Sequence, residues 1–127
     1  MIDPAILFAF IEVESSFNRG AFLNDRNGGS YGLMQLDLMV ATDRGYKGTA
    51  IGLYDPAANL HWGLLHLAWL TTELTGHNLY SLANLAAAYN AGLGHVLGGG
   101  TDPDYVAKIE AAYTKWDAAI GTSLPRA

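Results

Sequence analysis

Residues 2 to 18, IDPAILFAFIEVESSFN, decide how this chain is to be read. Asp3-Pro4 has the form of an N-cap followed by proline at the first helical position, so a helix is expected from there to about Phe17. Each helical residue turns about 100°. Leu7, Phe10, Ile11 and Glu14 then share one stripe, which Phe17 extends. Glu14 is expected on the core-facing side, and Glu12, roughly 160° away around the helix, on the solvated side. A carboxyl pressed against apolar groups has its charged form disfavoured. An acid that keeps its proton near neutral pH is what general acid catalysis requires. A buried glutamate paired with a distant arginine or a backbone amide fits the same stripe, and periodicity leaves the two readings open.

The helical pattern continues outward from this stretch. NRGAFLNDRNGGS (18 to 30) reads as a loop by its Gly, Asn and Asp content, with room for a short irregular β-ribbon. YGLMQLDLMVATDRGY (31 to 46) reads as a short helix ending near Gly45, and KGTAIGLYDP as a second loop. Asp55-Pro56 repeats the start signal and opens a long helix to about Thr75, apolar on several sides. Residues 79 to 92 form another helix closed by Gly92. GLGHVLGGGTDPD is a Gly-rich loop, 104 to 116 is the last helix, and the tail, loose after Gly121, follows it. The expectation is an all-α fold: one helical domain over residues 1 to 127, with its core in about 2 to 116.

Composition narrows the function classes. Of 127 residues half are hydrophobic, enough for one packed core. Cysteine is absent, which excludes disulfides and thiol chemistry. The net charge is −5 and the seven basic residues are dispersed, which argues against nucleic acid or an anionic membrane as partner. No apolar run is long enough to span a membrane. The N-terminus lacks the basic region of a signal peptide. Export by other means, delivery by a phage, or excision from a larger protein are the expectations that follow.

Three words in order, ESSFN, GLMQ (32 to 35) and AAYNAG (87 to 92), resemble the signature motifs of the soluble lytic transglycosylase and goose-type lysozyme superfamily, which cleaves peptidoglycan glycan strands. IDPAILFAFIEVESSFN, LYDPAANLHWG and DYVAKIEAAY resemble its supporting segments, so the likeness covers about residues 2 to 116. It implies a lysozyme-like helical domain with a substrate cleft and no cofactor or metal. Glu14 matches the catalytic acid. Tyr89 matches the tyrosine whose hydroxyl holds that acid, although a core tyrosine would read the same. Gln35 matches the glutamine lining the cleft, Met34 the methionine beneath the sugar, and Gly32 a glycine of close backbone approach, or a plain helix-start glycine. Ser15, Asn90 and Tyr105 match further substrate-binding positions, Tyr105 most weakly.

The resemblance implies cleavage of the β-1,4 bond between N-acetylmuramic acid and N-acetylglucosamine. In lytic transglycosylases one glutamate serves as acid and then base, and the 6-hydroxyl attacks to give a 1,6-anhydro end. In an inverting hydrolase a second carboxylate activates water. Asp25 and Asp37 resemble the water-holding aspartates of goose-type lysozymes, whereas the flanking segments resemble the transglycosylases. Asp25 also fits an Asx-turn beside Arg26, and Asp37 a solvated helix face. Ser30 is a candidate for the loop serine usual in transglycosylases, and the MP of that family is DL here. A silent glycan-binding module and a purely structural helical domain are the non-enzymatic alternatives. The expected partner is the peptidoglycan strand, met in the periplasm or cell wall by a monomer or by a domain of a larger protein.

His61, His66, His77 and His95 lack metal-site spacing and are expected to be structural or superficial. Trp62, His66, Trp69 and Glu73 form a helical stripe, expected to pack rather than to floor a sugar cleft. The glycines of 92 to 100 follow no strand, so they are not read as a phosphate loop.

Overall fold

The computed structural model describes residues 2–25 and 28–123. The helices in chain order are α1 (Pro4–Ser15), α2 (Leu38–Asp43), α3 (Pro56–Gly76), α4 (Leu82–Ala91), α5 (Leu93–Leu97) and α6 (Pro103–Ser123). A 3-10 helix covers Ile51–Tyr54, and two short strands, β1 (Phe22–Leu23) and β2 (Ser30–Tyr31), complete the set. The architecture is all-α with one small antiparallel ribbon, registered Phe22 to Tyr31 and Leu23 to Ser30.

Both Asp-Pro signals act as the sequence predicts. Asp3 Oδ1 accepts from the Ala5 amide at 2.9 Å, and Asp55 Oδ2 from the Ala58 amide at 2.9 Å. Each carboxylate satisfies an amide that the first helical turn leaves without a partner. Ser81 caps α4 in the same way, through the Asn84 amide at 3.0 Å.

The chain forms two compact units. One comprises Ile11–His66, the other Met1–Phe10 with Leu67–Ala127. In the second, Phe10, Leu67, Leu70, Leu74, Leu85, the alanines 86 to 88, Val96 and Ile109 are buried. There α4 packs on α5 and α6, and the small face of Ala86, Ala87 and Ala88 permits close packing. Phe8 stacks obliquely on Trp116, with centroids 5.3 Å apart. In the unit Ile11–His66 the buried residues are Ile11, Met34, Leu36, Ala41, Leu53 and one polar side chain, Asn59.

Four boundaries differ from the sequence expectation. Residues 31 to 36 are not helical: Tyr31 and Leu36 pair across a tight turn, and the helix, α2, starts only at Leu38. Gly32 at φ 76° and Gln35 at φ 49° lie in the left-handed region, which a helix cannot accommodate. The loop after Gly92 holds α5, because Val96 is buried and pulls one more turn inward. α6 continues beyond Trp116 to Ser123, since Tyr105, Ile109, Ala112, Trp116 and Ile120 keep helical spacing and each is at least half-buried. The end of the expected tail, residues 124–127, lies outside the described residues. Finally, α1 stops at Ser15, and Ser16 and Phe17 both turn left-handed, at φ 51° and 61°. Phe17 leaves the stripe and is 45% exposed.

Candidate active site

Glu14 stands on the last turn of α1. It is half-buried, and so is Glu12. The expected contrast between a buried and a solvated glutamate is therefore corrected. α1 is apolar around most of its girth: Ile6, Leu7, Phe8 and Val13 are half-buried besides the fully covered Ala9 and Phe10. Glu12 follows Phe8 by one turn, on a face that is also covered. What distinguishes Glu14 is its surroundings. Its neighbour Ser15 has Oγ 3.0 Å from the Ile11 carbonyl and 2.7 Å from the Leu33 carbonyl. The hydroxyl proton serves the nearer one, which ties the end of α1 to the turn carrying Gly32 to Gln35.

That turn is built by its backbone. Tyr31 and Leu36 exchange amide–carbonyl bonds of 2.9 and 3.1 Å, and the Gln35 amide donates to the Gly32 carbonyl at 3.1 Å. Gly32 is required twice, by its φ and by space, because an added Cβ would lie 2.5 Å from Asn59 Nδ2. It is a turn glycine of close approach, not the start of a helix. Gln35 is half-buried, and its Nε2 donates to the Ala21 carbonyl at 3.1 Å and the Gly32 carbonyl at 3.0 Å. Both donors of the amide face protein, so its oxygen is the atom left to accept from elsewhere. Met34 is fully buried; its sulfur lies against Gly63 of α3, where an added Cβ would collide with it. It supports the turn from within.

Asn59, on the first turn of α3, was not singled out by sequence reasoning, yet it organises this unit. It is fully buried. Oδ1 accepts from the Met34 amide at 2.8 Å, and Nδ2 donates to the carbonyls of Tyr31 at 2.7 Å and Leu53 at 2.8 Å. A polar residue four positions after Asp55 was the sole signal, and it said nothing of partners so distant in sequence.

The two loop aspartates are engaged locally. Asp25 Oδ1 accepts from the Gly29 amide at 3.1 Å, and Oδ2 accepts a short bond from Ser30 Oγ. The Gly28 amide reaches the Asp25 carbonyl at 3.2 Å. These side-chain bonds reach four and five residues ahead rather than the two of the expected Asx-turn, and Arg26 lies outside the described residues. Asp37 is the N-cap of α2, accepting from the Val40 amide at 2.7 Å. A solvated helix face was the simpler expectation for it; the backbone leaves the 31–36 turn extended at Asp37, which suits a cap.

Glu14, Ser15, Asp25, Ser30, Gly32, Met34, Gln35 and Asp37 all belong to the unit Ile11–His66. Tyr89, Asn90 and Tyr105 belong to the other. Tyr89 is half-buried and packs on Phe10, four residues before Glu14 on α1, with ring centroids 4.8 Å apart. Asn90 is exposed, and its Nδ2 donates to Asp102 Oδ2 at 2.7 Å, again leaving an amide oxygen to accept. Tyr105 is half-buried near the start of α6.

The histidines have local duties. His61 meets the Trp62 ring edge-on at 4.7 Å. His77 Nδ1 donates to the Glu73 carbonyl at 2.9 Å and His95 Nε2 to the Thr101 carbonyl at 2.8 Å. Burial, with Arg44 nearby, lowers the pKa of His66 from 6.5 to about 4, against a smaller opposing pull from Asp43. Trp62, His66, Trp69 and Glu73 are all half-buried on α3.

Fold and motif positions together define a lysozyme-like helical domain. The model of the transglycosylase SLT domain family matches residues 1–104, and the chain belongs to that family, a family of enzymes acting on peptidoglycan. Among solved structures, the 70 kDa soluble lytic transglycosylase of Escherichia coli superposes with a TM-score of 0.79 at 23% sequence identity. The match covers 95% of this chain and 22% of that one. Among the described residues, no helix is long and apolar enough to cross a membrane.

Proposed function

We propose that this chain is a lytic transglycosylase that cleaves the β-1,4 bond between N-acetylmuramic acid and N-acetylglucosamine in the periplasm or cell wall. Glu14 gives its proton to the glycosidic oxygen, the bond from that oxygen to the anomeric carbon breaks, and positive charge develops on the carbon. The acetamido oxygen of the muramic sugar shares that charge. The Glu14 carboxylate then takes the proton of the 6-hydroxyl, whose oxygen attacks the anomeric carbon and displaces the acetamido group. Glu14 ends protonated and no water is consumed. A half-buried acid suits both steps, being shielded from bulk water yet open to a sugar.

Family membership supports the reaction class. The observation that carries the intramolecular route is the engagement of Asp25 and Asp37. Each accepts hydrogen bonds that shape its own loop, so neither needs a role in activating water. Gln35 and Asn90, whose amide nitrogens donate to protein, each have an amide oxygen suited to accept from sugar hydroxyls or acetamido N–H groups. Tyr89 and Tyr105 are assigned to the reaction and to sugar binding by their motif positions alone.

Release of soluble fragments from purified peptidoglycan tests the reading. Wild type should clear the suspension, and a folded Glu14→Gln protein should not. Clearing by Glu14→Gln at the wild-type rate would remove Glu14 from the mechanism.

A further inference from the structure

We infer that Asn59 is a positioning residue that sets both Glu14 and Gln35 through the 31–36 turn. The inference rests on the proposed activity for its kinetic readouts, and on geometry alone for the others. Asn59 is fully buried and turns a complete amide onto backbone. It donates to the carbonyl entering the turn, at Tyr31, and accepts from the amide leaving it, at Met34. Its second donor fixes Leu53 in the 3-10 helix. No other side chain can replace it. An aspartate would set a carboxyl oxygen against two carbonyls, and an apolar isostere would strip the Met34 amide and the Leu53 carbonyl of this bond and leave the Tyr31 carbonyl with the Leu36 amide alone.

Two consequences of that grip reach the site. The Leu33 carbonyl lies between the two gripped residues, and it holds Ser15, next to Glu14. Gln35 follows Met34 directly, with its left-handed φ of 49° and its side chain bound to the Gly32 carbonyl of the same turn. The contact is close enough that only glycine fits at position 32. Moving the Asn59 amide therefore moves the turn, which carries Gln35 and holds Ser15, the residue beside Glu14 at the end of α1. The grip, the strap and both groups lie within the unit Ile11–His66.

Asn59→Ala is the first test, compared with Leu70→Ala, a core truncation in the other unit. Each protein is assayed at the same interval below its own melting temperature. Amide hydrogen exchange should show the Met34 amide opening in Asn59→Ala while the α1 and α6 amides stay protected. The kcat on peptidoglycan should fall at least tenfold, whereas Leu70→Ala stays within twofold of wild type. Gln35→Ala should weaken binding of a chitooligosaccharide in the wild-type background and change it less than twofold in the Asn59→Ala background. If Asn59→Ala does not fold, Gly32→Ala, which pushes the same amide aside, carries the same expectations. Equal kcat losses in Asn59→Ala and Leu70→Ala, or an additive Gln35 effect, would reduce Asn59 to a core residue. A wild type that clears no peptidoglycan would overturn the proposed activity, while hydrogen exchange and oligosaccharide binding would still decide whether Asn59 governs the turn.

Discussion

At the scale of single residues, Glu12 and Glu14 share a helix turn and a degree of burial but not a setting. Glu14 adjoins the Ser15 strap to Leu33. Glu14→Gln, which keeps shape and removes only the titratable group, should abolish fragment release. Glu12→Gln should keep most of it, and a circular dichroism melt should show both folded. Asp37 separates structure from chemistry. Asp37→Ala removes the α2 cap and should cost about 1 kcal/mol of stability, a shift in Tm of roughly 3–5 °C. Asp37→Asn, which still caps, should keep both stability and activity. Loss of activity in Asp37→Asn without loss of stability would make Asp37 part of the reaction. The helix that carries Glu14 was legible because its start signal is local, but the contrast in burial with Glu12 was not, because α1 is covered around most of its girth. The role of Asn59 was not, because it is defined by carbonyls and an amide 6, 25 and 28 residues away, beyond any local pattern.

At the scale of elements, the helices with strong starts were the legible ones. Asp3-Pro4 and Asp55-Pro56 placed α1 and α3 because capping is a local interaction. The stretch from Tyr31 to Leu36 misled, since its apolar residues fit a helix as well as a turn; the deciding contact is Gly32 against Asn59, which is tertiary. The end of α1 misled too, because two left-handed residues, Ser16 and Phe17, follow it without a glycine to announce them. Such conformations cost of order 1–3 kcal/mol each and gather at functional sites. Packing makes a further prediction. Gly63 on α3 faces the sulfur of Met34 beneath the turn, so Gly63→Ala should overpack and destabilise by about 1–3 kcal/mol. Met34→Ala should relieve part of that cost in the double variant, and denaturant melts of the four proteins would show whether the effects couple. Strict additivity would contradict the packing.

At the scale of the whole molecule, stability answers to pH through the buried base His66. His66 takes a proton at about pH 4 in the fold against 6.5 ordinarily. Between those values the unfolded chain binds more protons than the native one, so stability rises with pH across that window and is lost as pH falls through it. The Tm of wild type should drop between about pH 6.5 and 4, more steeply than that of His66→Gln. Identical slopes would mean that the proton is excluded elsewhere.

The central claim is that one protein carboxyl performs both proton transfers and that the sugar supplies its own nucleophile. Mass analysis of the muramic ends released from purified peptidoglycan reads this directly. The expected products are 1,6-anhydro ends, one water lighter than reducing ends, with Asp25→Asn and Asp37→Asn giving the same product. Predominantly reducing ends, lost on changing either aspartate, would contradict that claim and assign an aspartate-held water as the nucleophile.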